Sequence, residues 1–205
     1  INQATNNGFT PLGIAAFYGQ TKAAALLLEK GAAINQADNN GLTPLVLAAR
    51  YGHTEAVTLL LENGAAVNLA AEDGSTPLTI AVAFGHTDVV SALLLKNKNN
   101  RSAQGLLTRG LQSFAIPYID MPSPEGKTPL HIAVENRYFG TAAVLIAAKA
   151  DLNLPDRDGN TPLLLAVASN DLATVNLLVQ AGAKVGYRNK AGQIALDLAL
   201  AKPQS

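Results

Sequence analysis

Three short stretches of the sequence carry residue types that bind phosphate, calcium or sugar. Gly126-Lys127-Thr128 resembles the end of a phosphate-binding loop, but that motif needs a glycine five residues earlier, where Met121 stands. Residues 156–160, DRDGN, resemble the opening of a calcium-binding loop. Residues 100–102, NRS, match the N-glycosylation consensus, and we interpret them as an ordinary polar loop. The first two stretches coincide with a turn that recurs along the chain, so we interpret them as solvated turns.

The residue types that nucleophilic or acid–base catalysis needs are not grouped in this sequence. It contains no cysteine, which excludes disulfides, thiolate metal sites and thiol nucleophiles. The three histidines, His53, His86 and His131, fall at positions that a recurring pattern dictates, so we interpret them as structural. Every Asp and Glu is assignable to a turn or an exposed face. We therefore expect no enzymatic activity, no cofactor and no bound metal.

Composition narrows the class of partner. Lys plus Arg and Asp plus Glu both number 15, so no net charge attracts the chain to nucleic acid or to an anionic membrane. Hydrophobic residues make up 48% of the 205 residues, which argues against disorder. No apolar run is long enough to span a bilayer, and no signal peptide is recognisable. We expect a cytoplasmic, monomeric fragment that binds another protein.

The sequence contains an internal repeat, and its period determines which residues take equivalent places in the fold. Thr-Pro pairs recur along the chain at intervals of 33, 33, 52 and 33 residues, and the pairs begin at Thr10, Thr43, Thr76, Thr128 and Thr161. The long interval indicates a 19-residue insertion in one repeat, and a degenerate sixth copy lies at Ile194-Ala195. Self-similarity at this period is typical of stacked supersecondary units.

One repeat predicts two short helices. Gly41 closes a turn, Thr43 is suited to the N-cap, and Pro44 to the first helical position. A short helix with an apolar side follows and ends at Gly52, and a second, more buried helix ends at Gly64. Neither helix is long enough to be stable alone in water, so the repeats must stack.

These residues resemble the ankyrin-repeat family. The segments that carry the resemblance are NGFTPLGIAAFYGQT, NGLTPLVLAARYGHTEAVTLLLENGA, DGSTPLTIAVAFGHTDVV, EGKTPLHIAVENR and DGNTPLLLAVASND. The resemblance implies an all-α solenoid of helix-turn-helix repeats joined by β-hairpin-like loops. The family's histidine is present only at His131, and Arg137 and Lys149 occupy positions that are glycine in the second repeat. A non-glycine residue forced to positive φ there costs on the order of 1 kcal/mol, so the fourth repeat is expected to be the least stable.

We expect a single domain over residues 1–205, with partial repeats at both ends. INQATNN at 1–7 matches INQADNN at 34–40, and the last segment supplies only a first helix, so more chain is expected on both sides. The expected parts are a partial repeat at 1–6, five repeats at about 7–39, 40–72, 73–97, 125–157 and 158–190, an inserted loop at about 98–118, and a terminal partial repeat at 191–205.

The resemblance implies partner binding through the concave face, meaning the hairpin tips and the exposed side of each first helix. Transferred position by position, this surface is rich in aromatics in repeats 1 to 3 and polar in repeats 4 and 5. The predicted binding residues of the scaffold are Phe9, Phe17, Tyr18, Leu42, Arg50, Tyr51 and Phe84. A large residue at these positions is equally compatible with packing against the neighbouring repeat, so both interpretations stay open.

The insertion is the second candidate for binding. Asn97 stands where the second repeat has its helix-ending glycine, and asparagine tolerates the left-handed conformation, so we expect the insertion to leave the scaffold there. Its later part is apolar and adds Leu106, Leu107 and Phe114 to the predicted binding residues. It is compatible with a short helix capped by Ser102 or with a hairpin turning at Arg109-Gly110. Packing on its own scaffold and binding a partner are both open.

The function predicted from these features is a non-catalytic protein–protein interaction or scaffolding module. The alternative is the substrate-targeting part of a larger enzyme, or of a bacterial effector that acts on host proteins in the host cytosol. Catalytic motifs in a longer sequence would discriminate between the two.

Overall fold

The fold is built from short α-helices. The computed structural model describes the backbone of residues 1–104 and 118–200, and within these ranges there are eleven α-helices, one 3-10 helix and no strand. The predicted all-α fold is thereby confirmed. The chain divides into two compact units, Ile1–Ile116 and Pro117–Ser205. They are called the N-terminal unit and the C-terminal unit below.

The described residues of the N-terminal unit, 1–104, form six helices in two layers. Its helices are α1 Pro11–Phe17, α2 Thr21–Glu29, α3 Pro44–Arg50, α4 Thr54–Glu62, α5 Pro77–Ala83 and α6 Thr87–Gln104. The first helices of successive repeats, α1, α3 and α5, pack on one another in order, and α2, α4 and α6 form the second layer in the same order. Each first helix also packs on the second helix of its own repeat.

The C-terminal unit repeats this arrangement. A 3-10 helix, Tyr118–Asp120, precedes α7 Pro129–Glu135, α8 Phe139–Ala147, α9 Pro162–Ala168, α10 Leu172–Gln180 and α11 Ala195–Leu200. The helices α7, α9 and α11 form the first layer, and α8 packs on α10 in the second. The stacking of near-copies that the sequence predicts is therefore present in each unit.

Each first helix begins as the Thr-Pro pattern predicts. The threonine is the N-cap, its Oγ1 accepts a hydrogen bond from the third backbone N–H of the helix, and proline occupies the first turn. The distances run from 3.0 Å for Thr10 to 3.4 Å for Thr128 and Thr161. In the middle of the N-terminal unit the helix that follows is enclosed on nearly all sides, since every residue from Pro44 to Ala49 is buried.

Helix ends depend on left-handed residues, and mostly these are glycines. Gly52 and Gly64 have φ of 73° and 90°, as the pattern predicts. In the C-terminal unit the equivalent residues Arg137 and Lys149 take φ of 57° and 71°, which confirms that they are held at glycine positions. Asn170, at φ 55°, is a third such residue and was not predicted. Asparagine is among the side chains that tolerate this conformation best.

The prediction that Asn97 ends the second helix of repeat 3 is wrong. Helix α6 continues to Gln104, so residues 100–102 lie in a helix rather than in a polar loop, and Ser102 does not begin a separate one. No glycine or proline occurs between Leu95 and Gln104. Each further residue therefore gains a backbone hydrogen bond without a steric penalty, which favours continuation over the left-handed stop.

Side chains in the loops join neighbouring repeats at a fixed interval of 31 residues. The Oδ1 atoms of Asn2, Asn35, Asp120 and Asn153 each accept a hydrogen bond from a backbone N–H of the next repeat, at 2.8–2.9 Å. These four bonds are called the loop rungs below. Asp120 occupies the same place as Asn35, which supports the alignment of Ile119-Asp120 with Ile34-Asn35 on the far side of the insertion.

The turn tips add backbone hydrogen bonds between repeats. The N–H of Glu72 donates to the carbonyl of Asn40 at 3.0 Å, and Lys190 bonds Asp158 in the same way at 3.1 Å. This approach requires a residue without a side chain at position 41, because a Cβ on Gly41 would lie 2.7 Å from the nitrogen of Glu72. Within the described part of the chain, no helix combines the length and the apolar character needed to cross a bilayer.

Candidate protein-binding surface

The ends of the first helices in repeats 1 to 3 place aromatic rings at the surface. Tyr18, Tyr51 and Phe84 are the C-cap residues of α1, α3 and α5, and each is followed by a left-handed glycine that turns the chain away. The three residues are 64%, 43% and 50% exposed. Together with Phe17, the last residue of α1, they are called the aromatic row.

The rings of the row also contact the neighbouring repeat. The ring centroids of Phe17 and Tyr51 lie 4.4 Å apart, and the guanidinium carbon of Arg50 lies 5.2 Å from the centroid of Phe84. Both contacts join the last helical residue of one repeat to the C-cap ring of the next. Packing between repeats and exposure to solvent therefore occur together in the same rings.

Two histidines pack beside the rings of the aromatic row and bond the backbone of the preceding repeat. The Nε2 atoms of His53 and His86 lie 3.0 Å from the backbone carbonyl oxygens of Phe17 and Arg50 in the preceding repeat. Each imidazole also stacks near the C-cap ring of its own repeat, at 6.4 Å from Tyr51 and 6.3 Å in repeat 3. The structural role predicted for these histidines agrees with this geometry. The partner carbonyls, 36 residues away, were not predicted.

An apolar pocket opens at repeat 1. It has a volume of about 380 Å³ and is lined by Thr5, Asn7, Phe9, Ile14, Phe17 and Tyr18. The ring of Phe9 meets that of Phe17 edge-on at 6.4 Å between centroids, and Tyr18 meets Phe17 in the same manner at 4.8 Å. Ile14 is 38% exposed here. This pocket is called the repeat 1 pocket.

The other predicted binding residues lie apart from this cluster or outside the described residues. Leu42 is half-buried in its turn, where its N–H donates to Oδ1 of Asp38 at 2.8 Å. Leu106, Leu107 and Phe114 fall in 105–117, outside the residues that the structure describes. The structure thus brings together Phe9, Phe17, Tyr18 and Tyr51, and pairs Arg50 with Phe84.

The equivalent positions of the C-terminal unit carry polar groups. Asn136 and Ser169 are the C-caps of α7 and α9. Lys127 and Glu135 occupy the positions of Phe9 and Phe17, and their side chains form an ion pair at 2.7 Å. The hydrogen bond with Glu135, opposed by partial burial, raises the pKa of Lys127 above its ordinary value.

Two large exposed apolar residues of the C-terminal unit lie at the start of its second helices. Phe139 begins α8 and is 47% exposed, and Leu172 begins α10 and is 73% exposed. The equivalent residues of the N-terminal unit, Thr21, Thr54 and Thr87, are threonines. These positions were not among the predicted binding residues, although the change from threonine is visible in the aligned repeats.

His131 is fixed inside the scaffold. It is fully buried, its Nδ1 accepts from the backbone N–H of Thr128 at 3.2 Å, and its Nε2 donates to the carbonyl of Asn160 in the next repeat at 3.0 Å. Burial lowers the pKa of His131, and the hydrogen bond to Asn160 opposes this only in part. The imidazole is therefore neutral, and both of its nitrogens are occupied.

The stretches that resemble phosphate and calcium loops form turns. In the first, Gly126 has φ 79° and Thr128 caps α7. In the second, Oδ1 of Asp156 accepts from the N–H groups of Asp158 and Asn160 at 2.9 and 2.8 Å. Among the described residues, no group of three or more His, Asp or Glu side chains is placed to hold a metal ion.

Two carboxylates are buried, although the sequence assigns the acidic residues to turns or exposed faces. Asp120 is 5% exposed and forms a loop rung, and Asp38 is 8% exposed and lies in a turn. Oδ1 of Asp38 accepts from the N–H groups of Asn40 and Leu42 at 2.9 and 2.8 Å. Both side chains hold backbone in place, as the aspartate in a loop or turn often does.

Comparison with known proteins agrees with this architecture. The sequence profile described as "Ankyrin repeats (3 copies)" matches residues 12–104 and again residues 97–189. The two matches together span most of the chain and include four of the five Thr-Pro pairs; the pair at Thr10 lies just before the first match. No curated protein matches the chain.

Proposed function

Since the chain belongs to the ankyrin-repeat family, we propose that it is a non-catalytic module that binds a protein partner through the aromatic row and the adjacent turns. Ankyrin repeats generally mediate protein–protein interaction. A scaffolding role in the cytoplasm belongs to the same proposal, and the cysteine-free sequence is compatible with a reducing compartment.

The observation that carries the proposal is the exposure of rings that are already held in place. Tyr18, Tyr51 and Phe84 keep between 43% and 64% of their surface in solvent, although Phe17, Arg50 and the histidines fix their surroundings. A ring that is already ordered loses little conformational entropy when a partner covers it. Aromatic residues and arginine are also the types enriched at binding hot spots.

The proposed absence of catalysis rests on the state of the ionisable groups. His131 is buried and neutral with both nitrogens bonded, and the buried carboxylates Asp38 and Asp120 hold backbone N–H groups. Catalytic groups need to reach a substrate from a pocket. The repeat 1 pocket is lined by no ionisable side chain other than the Tyr18 phenol. A second, polar cleft of about 340 Å³ is lined by His86 and Asp88, and there the Nε2 of His86 is already bonded to the carbonyl oxygen of Arg50.

The first experiment compares affinity with stability. A partner is isolated by pull-down from cell lysate with the intact chain, and the variant Tyr51→Ala/Phe84→Ala is then titrated against the purified partner. Two lost hot-spot rings should raise Kd by roughly 30-fold or more, with a change in Tm of a few degrees at most. Asn136→Ala/Ser169→Ala, at the equivalent positions of the C-terminal unit, is the matched control and should leave Kd unchanged. Unchanged affinity together with a clearly lower Tm would assign the rings to packing and refute the proposal.

The insertion is tested separately, because Leu106, Leu107 and Phe114 remain predicted binding residues. The triple substitution of these residues by serine keeps the chain length and the end of α6 intact. A raised Kd at unchanged Tm supports a binding role, whereas a lowered Tm at unchanged Kd assigns the insertion to packing on its own scaffold.

A further inference from the structure

Asparagine followed by glycine occurs three times in the sequence, at Asn7-Gly8, Asn40-Gly41 and Asn63-Gly64. Such a pair is reactive, because the backbone nitrogen of the glycine can attack the side-chain amide carbon and no Cβ hinders its approach. The first two pairs lie in turns, whereas Asn63-Gly64 ends the second helix of repeat 2. The residue equivalent to Asn63 is lysine in repeats 1 and 3 and alanine in repeats 4 and 5, so this reactive helix end is confined to repeat 2.

The pair in the turn of repeat 2, Asn40-Gly41, is held by the next repeat. The carbonyl oxygen of Asn40 accepts from the N–H of Glu72 at 3.0 Å, and the N–H of Gly41 donates to the carbonyl of Asp38 at 3.0 Å. Gly41 also lies against the backbone of repeat 3, where an added Cβ would come within 2.7 Å of the Glu72 nitrogen. The attack turns the peptide plane between asparagine and glycine. At this pair it therefore requires the turns of repeats 2 and 3 to separate.

The pair Asn63-Gly64 is held by its own helix. The N–H of Gly64 donates to the carbonyl of Leu61 at 3.1 Å, and Nδ2 of Asn63 donates to the carbonyl of Leu59 at 2.8 Å. Among the described residues, no hydrogen bond ties this pair to another repeat. Both residues are exposed, and a Cβ on Gly64 would meet nothing within 4 Å. Bonds at a helix end open by fraying, which costs less than separating two repeats.

The conformation of Asn63 makes this fraying the controlling step. At its ψ of 9°, the nitrogen of Gly64 is turned away from the side chain of Asn63. The last turn of α4 must therefore open before the nitrogen reaches the amide carbon. The pair in the turn has the same requirement but an additional bond to break.

We propose that Asn63-Gly64 is a site of spontaneous deamidation. The Gly64 nitrogen forms a bond to Cγ of Asn63, the bond from Cγ to Nδ2 breaks, and the proton of the attacking nitrogen leaves with the amide group as ammonia. A succinimide ring results, and water opens it at either carbonyl to give aspartate or isoaspartate. The overall change consumes water and releases ammonia, with no oxidant or reductant. The reaction concerns repeat 2 alone and is independent of partner binding.

Either product weakens the end of α4. Aspartate replaces the Nδ2 donor of Asn63 with a carboxylate beside the carbonyl oxygen of Leu59, next to Glu62. Negative charge at the C-terminus of a helix is unfavourable because of the helix dipole. Isoaspartate leads the main chain through the side-chain methylene, three residues before Ala66, whose N–H forms a loop rung with Asn35 at 2.9 Å. Deamidation should therefore loosen the joint between repeats 1 and 2.

The test follows the intact folded chain in mildly alkaline buffer by trypsin digestion and mass spectrometry, with an unincubated sample as reference. Asn40 is the comparison, because repeat 2 contains both sites and trypsin separates them into peptides 31–50 and 51–96. Asn63 should be converted at least about five-fold faster than Asn40, since one more hydrogen bond, between repeats, must open at the turn. In concentrated urea neither pair is held, and the two rates should become similar.

Two variants complete the test. Asn63→Ala, with the residue that repeats 4 and 5 carry at this position, should abolish the mass change in peptide 51–96 and leave the rate at Asn40 unchanged. Asn63→Asp reproduces the charged product and should have a Tm about 1–4 °C below that of Asn63→Ala.

Three results would overturn the inference. They are conversion of Asn40 at least as fast as that of Asn63 in the folded chain, conversion of Asn63 in urea only, and a mass change in peptide 51–96 that persists in Asn63→Ala. Equal Tm values for Asn63→Asp and Asn63→Ala would refute the weakening of α4. None of these results bears on the proposed function, which the variants of the aromatic row test separately.

Discussion

The two units use the same helix pairs but present different chemistry at equivalent positions. In repeat 1, Phe9 and Phe17 meet edge-on with ring centroids 6.4 Å apart. In repeat 4 the same two positions hold Lys127 and Glu135, which form an ion pair at 2.7 Å. The backbone around both pairs is the same turn followed by a capped helix. The same backbone therefore accepts an aromatic pair or an ion pair at these two positions.

The units also differ in how histidine joins their repeats. In the N-terminal unit, His53 and His86 bond the end of the preceding first helix. In the C-terminal unit, His131 lies at the start of α7 and bonds the turn of the following repeat. Its counterpart in repeat 3, Thr79, bonds only within its own repeat, to Thr76. Histidine therefore joins neighbouring repeats at the end of the first helix in the N-terminal unit and at its start in the C-terminal unit.

The largest expected effect on the free energy of unfolding comes from His131, and it tests this difference between the units. His131→Ala should lower the free energy of unfolding by about 2–4 kcal/mol, because it leaves a cavity and deprives the carbonyl of Asn160 of its donor. Thr79→Ala should cost only about 1 kcal/mol, since it removes a capping interaction within one repeat. Urea unfolding followed by circular dichroism measures both. Equal losses would show that the bond between repeats contributes nothing beyond the cap.

The second effect is a pH dependence of the free energy of unfolding. We expect it from the buried imidazole of His131 in the C-terminal unit. Burial lowers the pKa of His131 in the folded state, while the unfolded chain has an ordinary value of about 6.5. Between these two values the unfolded state binds a proton that the folded state does not. Stability is therefore lost as pH falls below about 6.5, with a slope of at most about 1.4 kcal/mol per pH unit.

The control for this pH dependence is His131→Leu, because leucine occupies the same position in repeat 5. The free energy of unfolding of the original chain, minus that of this variant, should decrease from pH 7.5 to pH 5.5 when both are measured by urea unfolding. Asp156 and Glu135 favour protonation of the imidazole and Lys127 opposes it, so the comparison is made at one ionic strength. A difference that stays constant over this range would contradict the assignment.

The third effect exchanges a residue between the units. Lys149 is held at φ 71°, and Lys149→Gly should raise the free energy of unfolding by about 1 kcal/mol through relief of left-handed strain. Gly64→Lys makes the reverse change in repeat 2, where a Cβ would meet nothing within 4 Å, and should lower stability by a similar amount. Shifts of equal sign in the two variants would mean that strain does not distinguish the repeats. Arg137→Gly should gain less, because the arginine side chain donates to the carbonyl of Ser169 at 2.6 Å.

The smallest effect concerns the ion pair itself. Both side chains are about one-third exposed, at 28% and 33%, so the interaction is partly screened by solvent. A double-mutant cycle with Lys127→Ala and Glu135→Ala should give a coupling of roughly 0.2–1 kcal/mol that declines at 1 M salt. The Phe9→Ala and Phe17→Ala cycle is the matched comparison and should be insensitive to salt. A salt-independent coupling in repeat 4 would mean that packing rather than charge joins its pair.

The local features of the fold follow from residues that are near one another in the sequence. The Thr-Pro pairs predict the five helix starts because the N-cap bond spans three residues, and the left-handed positions follow from the spacing of the glycines. Arg137 and Lys149 were recognisable because they break that spacing. The continuation of α6 past Asn97 was not, since asparagine is compatible with both a helix and a left-handed stop.

The candidate site was predictable as a set of positions but not as a set of contacts. Phe17, Tyr51 and Phe84 could be identified from the aligned repeats, whereas the Phe17–Tyr51 contact and the bond from His86 to the carbonyl of Arg50 depend on how repeats stack. Those partners lie 34 and 36 residues apart. The exposure of Leu172 could not be predicted either, because the neighbouring repeat determines whether a side chain is buried.

The loop rungs give each unit a mechanical property. Every rung ties one repeat to the next, and none spans more than two repeats. When the chain is pulled from its ends, the force therefore acts on the loop rungs in series. The least stable repeat unfolds first while the others stay folded. Each opened repeat of 33 residues releases on the order of 100 Å of contour. A single molecule under an optical trap should lengthen in steps of that size, starting in the repeat that holds Arg137 and Lys149 in left-handed backbone.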